Sequence, residues 1–149
     1  MLISGQAHAV GPHEGRVVDL GVTRMRVLAA GQGVTRGAFT LAEFSGGRGA
    51  WTVPHLHRGM EESFFVVEGE FTFTVGEEEI TAGADDYVLV PRGTRHLLVA
   101  TTEQARCLVL MVPGGQEEMF FELGELGSDS LRDPAVRAAI SARYDSVPV

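Results

Sequence analysis

The chain has 149 residues, of which 44% are hydrophobic, and it carries a formal net charge of −8 at pH 7. This hydrophobic fraction excludes a disordered chain, and the length predicts one domain that buries a substantial core. The acidic balance argues against non-specific nucleic-acid binding. The single cysteine, Cys107, excludes an internal disulfide framework and indicates a reducing compartment.

The N-terminal segment has no feature of a targeting sequence. Residues 1–10 have neither a basic start nor a sustained apolar run, so they do not resemble a signal peptide. No apolar stretch of the chain approaches the roughly 18 residues that span a membrane. We therefore expect a cytoplasmic protein that binds neither membranes nor nucleic acid.

Short strands dominate the first three quarters of the chain. Residues 1–15 are polar and predict an N-terminal arm, whereas residues 16–112 show the alternation that is typical of a β-barrel. The clearest example is the run in which Phe71, Phe73 and Val75 alternate with threonines. The predicted strands are residues 16–20, 22–29, 38–44, 62–68, 70–75, 87–90, 97–99 and 105–112, with turns at 76–79 and 81–86.

The hydrophobic period changes after the Pro-Gly-Gly sequence at 113–115. Residues 116–123 have apolar side chains at helical spacing, which predicts a first helix. A second helix is predicted from Pro134 to about Tyr144, with Asp133 as its N-cap. The predicted organisation is therefore a single domain over residues 1–149, with the arm, the barrel and a helical tail over 116–144.

The pair His55 and His57 is the first candidate for a functional site. In an extended strand alternate side chains share a face, so the two imidazoles project together, about 6–7 Å apart. Glu62 shares the parity of Phe64 and is expected to face the interior, whereas Glu61 should face outward. Spacing alone does not identify a metal site, because a His-x-His pair is commonly a surface feature.

A second stretch carries another histidine. Pro91 and Gly93 predict a tight turn after an apolar run, and His96 follows at the start of the next strand. Functional residues concentrate where loops leave a rigid scaffold. Three histidines and one carboxylate are thus predicted at strand starts beside turns.

These two stretches resemble the paired sequence motifs of the cupin superfamily. The second motif departs from the family at Asp85, where glycine is usual, and at Ala100, where many members have asparagine. Aspartate tolerates a left-handed backbone less well than glycine, so the turn at Asp85 is expected to differ. The matching residues are Gly49, His55, His57, Glu62 and Gly69 in the first motif and Pro91, Gly93 and His96 in the second.

The resemblance implies an all-β fold, a cupin-type antiparallel barrel or jelly roll, with one or two short C-terminal helices. It also implies one divalent transition metal ion per chain, with His55, His57, Glu62 and His96 as the ligands. The segment after the barrel resembles the tail of bacterial single-domain cupins related to quercetin 2,3-dioxygenase. Related cupins commonly pair through their first strands, so we expect a homodimer.

Three imidazoles and one carboxylate suit Fe(II), Mn(II), Ni(II), Co(II), Cu(II) or Zn(II) better than Ca(II) or Mg(II). Four protein ligands leave two positions on a six-coordinate ion. The predicted pocket is apolar, and neither motif places an arginine or lysine inward as a phosphate clamp. The predicted lining residues are Trp51, Phe64, Val66, Phe73 and Met111, although Trp51 is equally consistent with a core position.

Three functions fit these features. A quercetinase-like dioxygenase would act on a phenol or enol, with Glu62 as the catalytic base that takes the hydroxyl proton. A polyketide cyclase or isomerase would use the metal only as a Lewis acid. A non-catalytic module would only bind a small molecule, but such sensors normally carry a second domain. The sequence therefore favours a metal-dependent oxidoreductase with a small organic substrate.

Overall fold

Two antiparallel β-sheets enclose one hydrophobic core. The structure is a computed structural model that describes residues 7–149. The elements are β1 (Val17–Asp19), β2 (Thr23–Ala29), β3 (Thr40–Gly46), β4 (Gly49–Ala50), β5 (His55–Leu56), β6 (Glu61–Glu68), β7 (Phe71–Val75), β8 (Glu78–Ala82), β9 (Tyr87–Val90), β10 (His96–Ala100), β11 (Ala105–Val112), α1 (Glu117–Gly124), α2 (Ser128–Arg132), α3 (Pro134–Ser141) and β12 (Val147–Pro148).

The strand order in the first sheet is β1-β2-β3-β11-β6-β9. The second sheet has the order β12-β5-β10-β7-β8, and β4 pairs with β10 beside this path. All of the strand pairs in the described part of the chain are antiparallel. The predicted all-β barrel with short C-terminal helices is therefore confirmed.

Strand β6 shows how the sequence pattern positions side chains. Glu62, Phe64 and Val66 are buried, whereas Phe65 is 40% exposed on the outer face. Glu61 also points outward, where its carboxylate pairs with Arg92 at 3.1 Å. The alternation thus directs one carboxylate into the barrel and its neighbour to solvent.

The strand β8 was not predicted. The glutamates of this segment predicted the tip of a hairpin at residues 76–79, and a second turn was predicted at residues 81–86. In the structure only Ile80 and Ala82 of this strand are shielded from solvent, and β8 is the edge of its sheet. The ladder to β7, with Ile80 opposite Phe73, holds a sequence with weak strand propensity in strand conformation.

Two turn positions test the motif match. Gly69 has φ +77°, and a Cβ atom there would lie 2.3 Å from the carbonyl oxygen of Gln104, so only glycine fits. Asp85 replaces the usual glycine and keeps the left-handed conformation, with φ +72°. Its backbone N–H donates to the Val66 carbonyl at 2.9 Å, which holds the turn against β6.

The ends of the chain differ in part from expectation. Residues 1–6 of the predicted arm lie outside the described residues, and residues 7–15 form neither helix nor strand. The helix α2 was not predicted, and α3 ends at Ser141 rather than near Tyr144. The short polar sequence of α2 carries too little periodicity to reveal a helix, because two turns are needed to show a stripe.

Two acidic side chains organise the helical tail, one by capping a helix and the other by attaching the tail to the barrel. Asp133 caps α3, since its carboxylate accepts from the Ala135 N–H at 2.9 Å, as predicted. Glu117 in α1 is fully buried and accepts from the Thr40 hydroxyl at 2.5 Å and the Gln32 N–H at 2.7 Å. Within residues 7–149, no helix has the length and apolar character needed to cross a membrane.

Candidate metal centre

Three histidines and one glutamate converge inside the barrel. His55 lies in β5, directly opposite His96 of β10 in the second sheet, and His57 follows two residues later. Glu62 approaches from β6 of the first sheet. One potential ligand atom from each residue lies within 4.8 Å of all the others. The structure therefore brings together all four residues that the sequence singled out.

The four side chains are almost completely shielded from solvent. Their exposed fractions are 8% for His55, 4% for His57, 9% for Glu62 and 3% for His96. Four polar side chains in a core of this kind need partners, because an unpaired buried polar group costs about 1–3 kcal/mol. Their burial and convergence are what a mononuclear metal site requires.

Backbone carbonyls orient all three imidazole rings. His55 Nδ1 lies 2.7 Å from the Val53 oxygen, and His96 Nδ1 lies 2.9 Å from the Thr94 oxygen. His57 Nδ1 lies 2.7 Å from the oxygen of Asp145. Since a carbonyl only accepts, each Nδ1 must donate, and each Nε2 is left as the nitrogen that faces the other ligands. Metal-binding histidines are commonly fixed in this way.

The carboxylate of Glu62 lies between two of these rings. Its Oε2 is 2.9 Å from His57 Nε2 and 3.3 Å from His96 Nε2. Burial alone would raise the pKa of Glu62, but these hydrogen bonds outweigh it and hold the pKa below the usual range. Glu62 is therefore a carboxylate at neutral pH, as a metal ligand must be.

The protonation of the histidines differs across the cluster. Burial lowers the pKa of His55 from 6.5 to about 4, against the charge of Glu62. Burial would also lower the pKa of His57, but its hydrogen bond to Glu62 and that carboxylate's charge raise it instead. His55 is thus neutral at pH 7 and ready to bind a cation, whereas the raised pKa of His57 means that its ring keeps a proton to higher pH than an ordinary imidazole.

The donor set fits a divalent transition metal ion. Neutral imidazole and carboxylate groups are ligands for Fe, Mn, Co, Ni, Cu and Zn, and Ca or Mg would require more oxygen atoms. Once its proton has left, each Nε2 directs a lone pair into the space that Glu62 also faces, because the opposite ring nitrogen is anchored to a carbonyl. A cation there would satisfy all four buried groups at once, which supports a metal site of these residues.

Asp145 is a residue of the site region that the sequence analysis missed. Besides its carbonyl contact to His57, its carboxylate accepts from the N–H groups of Arg58 and Gly59 at 2.8 and 2.9 Å. Its φ of +56° turns the chain so that both contacts form. Nothing near the motifs points to Asp145, because it lies 88 residues from His57 along the chain.

A cavity of about 680 Å³ adjoins the ligands and is lined mainly by apolar side chains. Trp51 and Phe64 line it, as predicted. Trp51 also has a core role, since its indole N–H donates to the Gly47 carbonyl at 2.8 Å and its ring packs edge-on against Phe71. Both interpretations of Trp51 are therefore compatible with its position.

The other three predicted pocket residues do not line this cavity. Phe73 packs behind Phe64, with ring centroids 5.0 Å apart, and Met111 is fully buried opposite Glu62 in the β11–β6 ladder. Val66 lies further along β6, beside the turn at Asp85. Inward parity placed these side chains in the core correctly, but parity does not show how deep along a strand the cavity extends.

The C-terminal tail supplies much of the lining that sequence reasoning missed. Amphipathic spacing in 116–123 indicated an apolar helix face, but it did not show what that face covers. The cavity residues from the tail are Gln116, Met119, Phe120, Leu123, Arg132, Pro134, Arg137, Ala138, Ser141, Ser146, Pro148 and Val149.

Cys107 is excluded as a nucleophile. Its side chain is fully buried in β11, and burial raises the pKa of the thiol to about 12. The thiolate is therefore absent at neutral pH, and Cys107 acts as a small core residue, as predicted.

Comparisons with known proteins agree with this geometry. The sequence profile of the cupin domain matches residues 41–113, which include all four ligand candidates. A quercetin 2,3-dioxygenase of Bacillus subtilis is 31% identical over 100 residues, and one of Aspergillus japonicus is 28% identical over 101 residues. These matches cover 67% and 64% of this chain but only 29% of each relative. The chain thus spans less than a third of the length of the curated relatives.

Solved structures share the fold at lower identity. KdgF from Halomonas sp. superposes with a TM-score of 0.67 at 20% identity, over 76% of this chain and 99% of that one. Pac13 from Streptomyces, a nucleoside dehydratase solved with uridine, has a TM-score of 0.63 at 18% identity, over 76% and 88% of the two chains. The barrel, the motif residues and the sequence matches agree, and the chain belongs to the cupin superfamily.

Proposed function

We propose that this chain is a metal-dependent dioxygenase of the quercetinase type that acts on a small phenolic or enolic substrate. The observation that carries the proposal is the convergence of three histidines and one glutamate, of which His55, His57 and Glu62 line a largely apolar cavity. The two quercetin 2,3-dioxygenases that match the sequence support the oxidative reaction. A redox-active ion held by the four residues would supply both Lewis acidity and dioxygen chemistry.

The remaining roles belong to this chain's own residues. His55, His57 and His96 hold the cation through nitrogens whose opposite ring atoms are anchored to carbonyls. The apolar walls, with Trp51 and Phe64 among them, bind the flat body of the substrate and exclude bulk water. This arrangement suits a molecule with an apolar ring system and a chelating oxygen.

Glu62 has a second role in this proposal as the proton acceptor for a substrate hydroxyl. Glu62 lines the cavity, so its carboxylate can reach a substrate hydroxyl and take the proton. Glu62→Gln separates this role from simple coordination, since the amide oxygen can still coordinate but cannot take a proton. We expect the Gln variant to retain metal while kcat falls by roughly 100-fold. Full activity of a metal-loaded Gln variant at all pH values would show that Glu62 only coordinates.

Oxygen consumption tests the proposed reaction. Protein purified without added metal is assayed for its bound ion by elemental analysis, then incubated with quercetin and with smaller enols in an oxygen electrode. We expect a redox-active ion, loss of substrate that matches oxygen uptake, and ¹⁸O from labelled dioxygen in the product. Conversion at the same rate under nitrogen, with zinc as the bound ion, would instead favour the cyclase or isomerase alternative. A protein that binds these molecules without converting any of them would support the binding-module alternative.

A further inference from the structure

Two arginines of the C-terminal tail line the same cavity as His55, His57 and Glu62. The face of α3 toward the cavity consists of Pro134, Arg137, Ala138 and Ser141, which follow the i, i+3, i+4, i+7 spacing of one helix face. Arg132, the last residue of α2, also lines the cavity. Inward cations are therefore present, although the two barrel motifs contain none.

Neither guanidinium has a carboxylate partner in the part of the chain that the structure describes. The arginines that form ion pairs there are Arg26, Arg92, Arg106 and Arg143. Arg143 provides a contrast on the turn after α3, because it pairs with Glu122 rather than facing the cavity. Arg132 and Arg137 are two of the eight arginines in the described residues that form no ion pair, and their place in the cavity wall distinguishes them.

Arg137 is half-buried at the wall of the largely apolar cavity. Its guanidinium has no carboxylate partner there, so it is available to the negative charge of a ligand. Arg132 is exposed, so it adds charge near the cavity at little cost. Arginine is also the side chain best suited to bind a carboxylate or phosphate with two parallel hydrogen bonds.

We propose that Arg137, assisted by Arg132, binds an anionic group of the substrate. The substrate would then be an organic acid with an apolar body, one end bound by the metal ligands and a carboxylate, sulfonate or phosphate bound by the arginines. The hydroxyl of Ser141, one turn from Arg137 on the same helix face, provides an additional donor for the anion. This inference rests on the proposed function only for the metal-binding end of the substrate.

The test uses two probes that differ only in charge. Naphthalene-2-sulfonate is anionic at neutral pH, whereas naphthalene-2-sulfonamide has nearly the same shape and is neutral. Their affinities are measured by calorimetry for the metal-free full chain, because a primary sulfonamide can itself bind zinc through its nitrogen. We expect the sulfonate to bind at least about tenfold more tightly than the sulfonamide, the size of one charge-assisted hydrogen bond.

The variants locate the source of this preference. Arg137→Gln and the double variant Arg132→Gln/Arg137→Gln should reduce the preference to about twofold or less without changing sulfonamide affinity. Arg143→Gln, which removes a paired arginine outside the cavity, should keep the full preference. Raising the salt concentration of the wild-type protein should weaken sulfonate binding alone, which tests the charge effect without any substitution.

Three results would overturn the inference. These are equal affinities of the two probes in the wild-type protein, no sulfonate binding at millimolar concentration, or a preference that survives in the double variant. None of these measurements needs turnover or a redox-active metal. A failure here is therefore distinct from a failure of the dioxygenase assay, which would leave the anion preference of the metal-free protein unchanged.

Discussion

The barrel and the C-terminal tail contribute to the ligand cluster in different ways. His55 and His96 are oriented by carbonyls two residues away in their own segments. His57 is oriented by Asp145, which lies beyond three helices in the tail. The comparison shows that two histidines are oriented within their own motifs, while the third histidine depends on how a distant segment folds back.

The tail contacts the first motif through the strand β12 as well as through the carboxylate of Asp145. β12 pairs with β5, with Val147 opposite Leu56 and Pro148 opposite His55. The N–H of Val149 also donates to the carbonyl of Pro54 at 3.1 Å. The segment 145–149 therefore covers the backbone of the first motif, and we expect site integrity to depend on it.

Removal of this segment is the strongest way to test the comparison. A chain that ends at Tyr144 loses the His57 anchor, the caps of Arg58 and Gly59 and the β12 ladder. We expect its metal affinity to fall by about 100-fold, the upper range for loss of groups that orient ligands, and its free energy of unfolding to fall by about 4 kcal/mol. Competition with a chelator and urea unfolding measure the two effects.

A matched control for this truncation removes only Val149. That chain keeps Asp145 and both β12 residues and loses one backbone hydrogen bond. Its metal affinity should stay within about threefold of the wild type, since a single exposed hydrogen bond contributes about 1 kcal/mol or less. Equal affinities for the two truncated chains would contradict the role given to Asp145.

Titration of the metal-free protein distinguishes His55 from His57, because their pKa values shift in opposite directions. The pKa of His55 is about 4 in the folded chain and 6.5 when unfolded, so the unfolded chain binds an extra proton between these values. The free energy of unfolding should therefore fall as pH falls from 6.5 to 4, by up to about 3 kcal/mol from this group. For His57 the raised pKa has the opposite sign, because its contribution is present below pH 6.5 and is lost as pH rises through the folded pKa.

Ring-nitrogen NMR of the metal-free protein measures both histidines directly. We expect His55 to remain neutral down to about pH 4. We expect the pKa of His57 to lie above 6.5, so that its ring takes up a proton earlier as the pH is lowered. Substitution of His55 by Gln should remove its part of the pH dependence of urea unfolding. A His55 resonance that titrates at 6.5 would show that the ring is hydrated rather than buried.

Single substitutions of Asp145 should have a smaller effect than the truncation. Asp145→Ala removes two caps of the motif loop and places alanine at φ +56°, so we expect a loss of about 2 kcal/mol in unfolding free energy and about tenfold in metal affinity. Asp145→Asn keeps an acceptor and tolerates this φ, and it should restore most of both losses. Visible spectra of the Co(II)-loaded variants report the ligand geometry. An Ala variant with the wild-type spectrum and affinity would contradict a positioning role.

The sequence predicted the features of the fold and the site that depend on neighbouring residues, and it did not predict those that depend on distant contacts. Strand parity located His55, His57 and Glu62, and the turn at Gly93 located His96, because period-2 alternation and turn chemistry depend on neighbours only. The strand β8 was missed because its stability comes from pairing with β7 rather than from its own composition. Asp145 and Arg137 were missed because tertiary folding alone brings Asp145 to His57 and Arg137 to the cavity wall. The homodimer stays a prediction, although β1 does form the edge of its sheet.

Metal content of purified variants tests the central claim, that His55, His57, Glu62 and His96 form one mononuclear site. Wild-type protein and Glu61→Ala should each bind about one divalent ion per chain, since the Glu61 side chain is 46% exposed and points away from the cluster. The double variant His55→Ala/His96→Ala should bind less than about a tenth of this amount, because two ligands cannot hold the ion against a chelator. Stoichiometric metal in that double variant, with its fold intact by circular dichroism, would contradict the account.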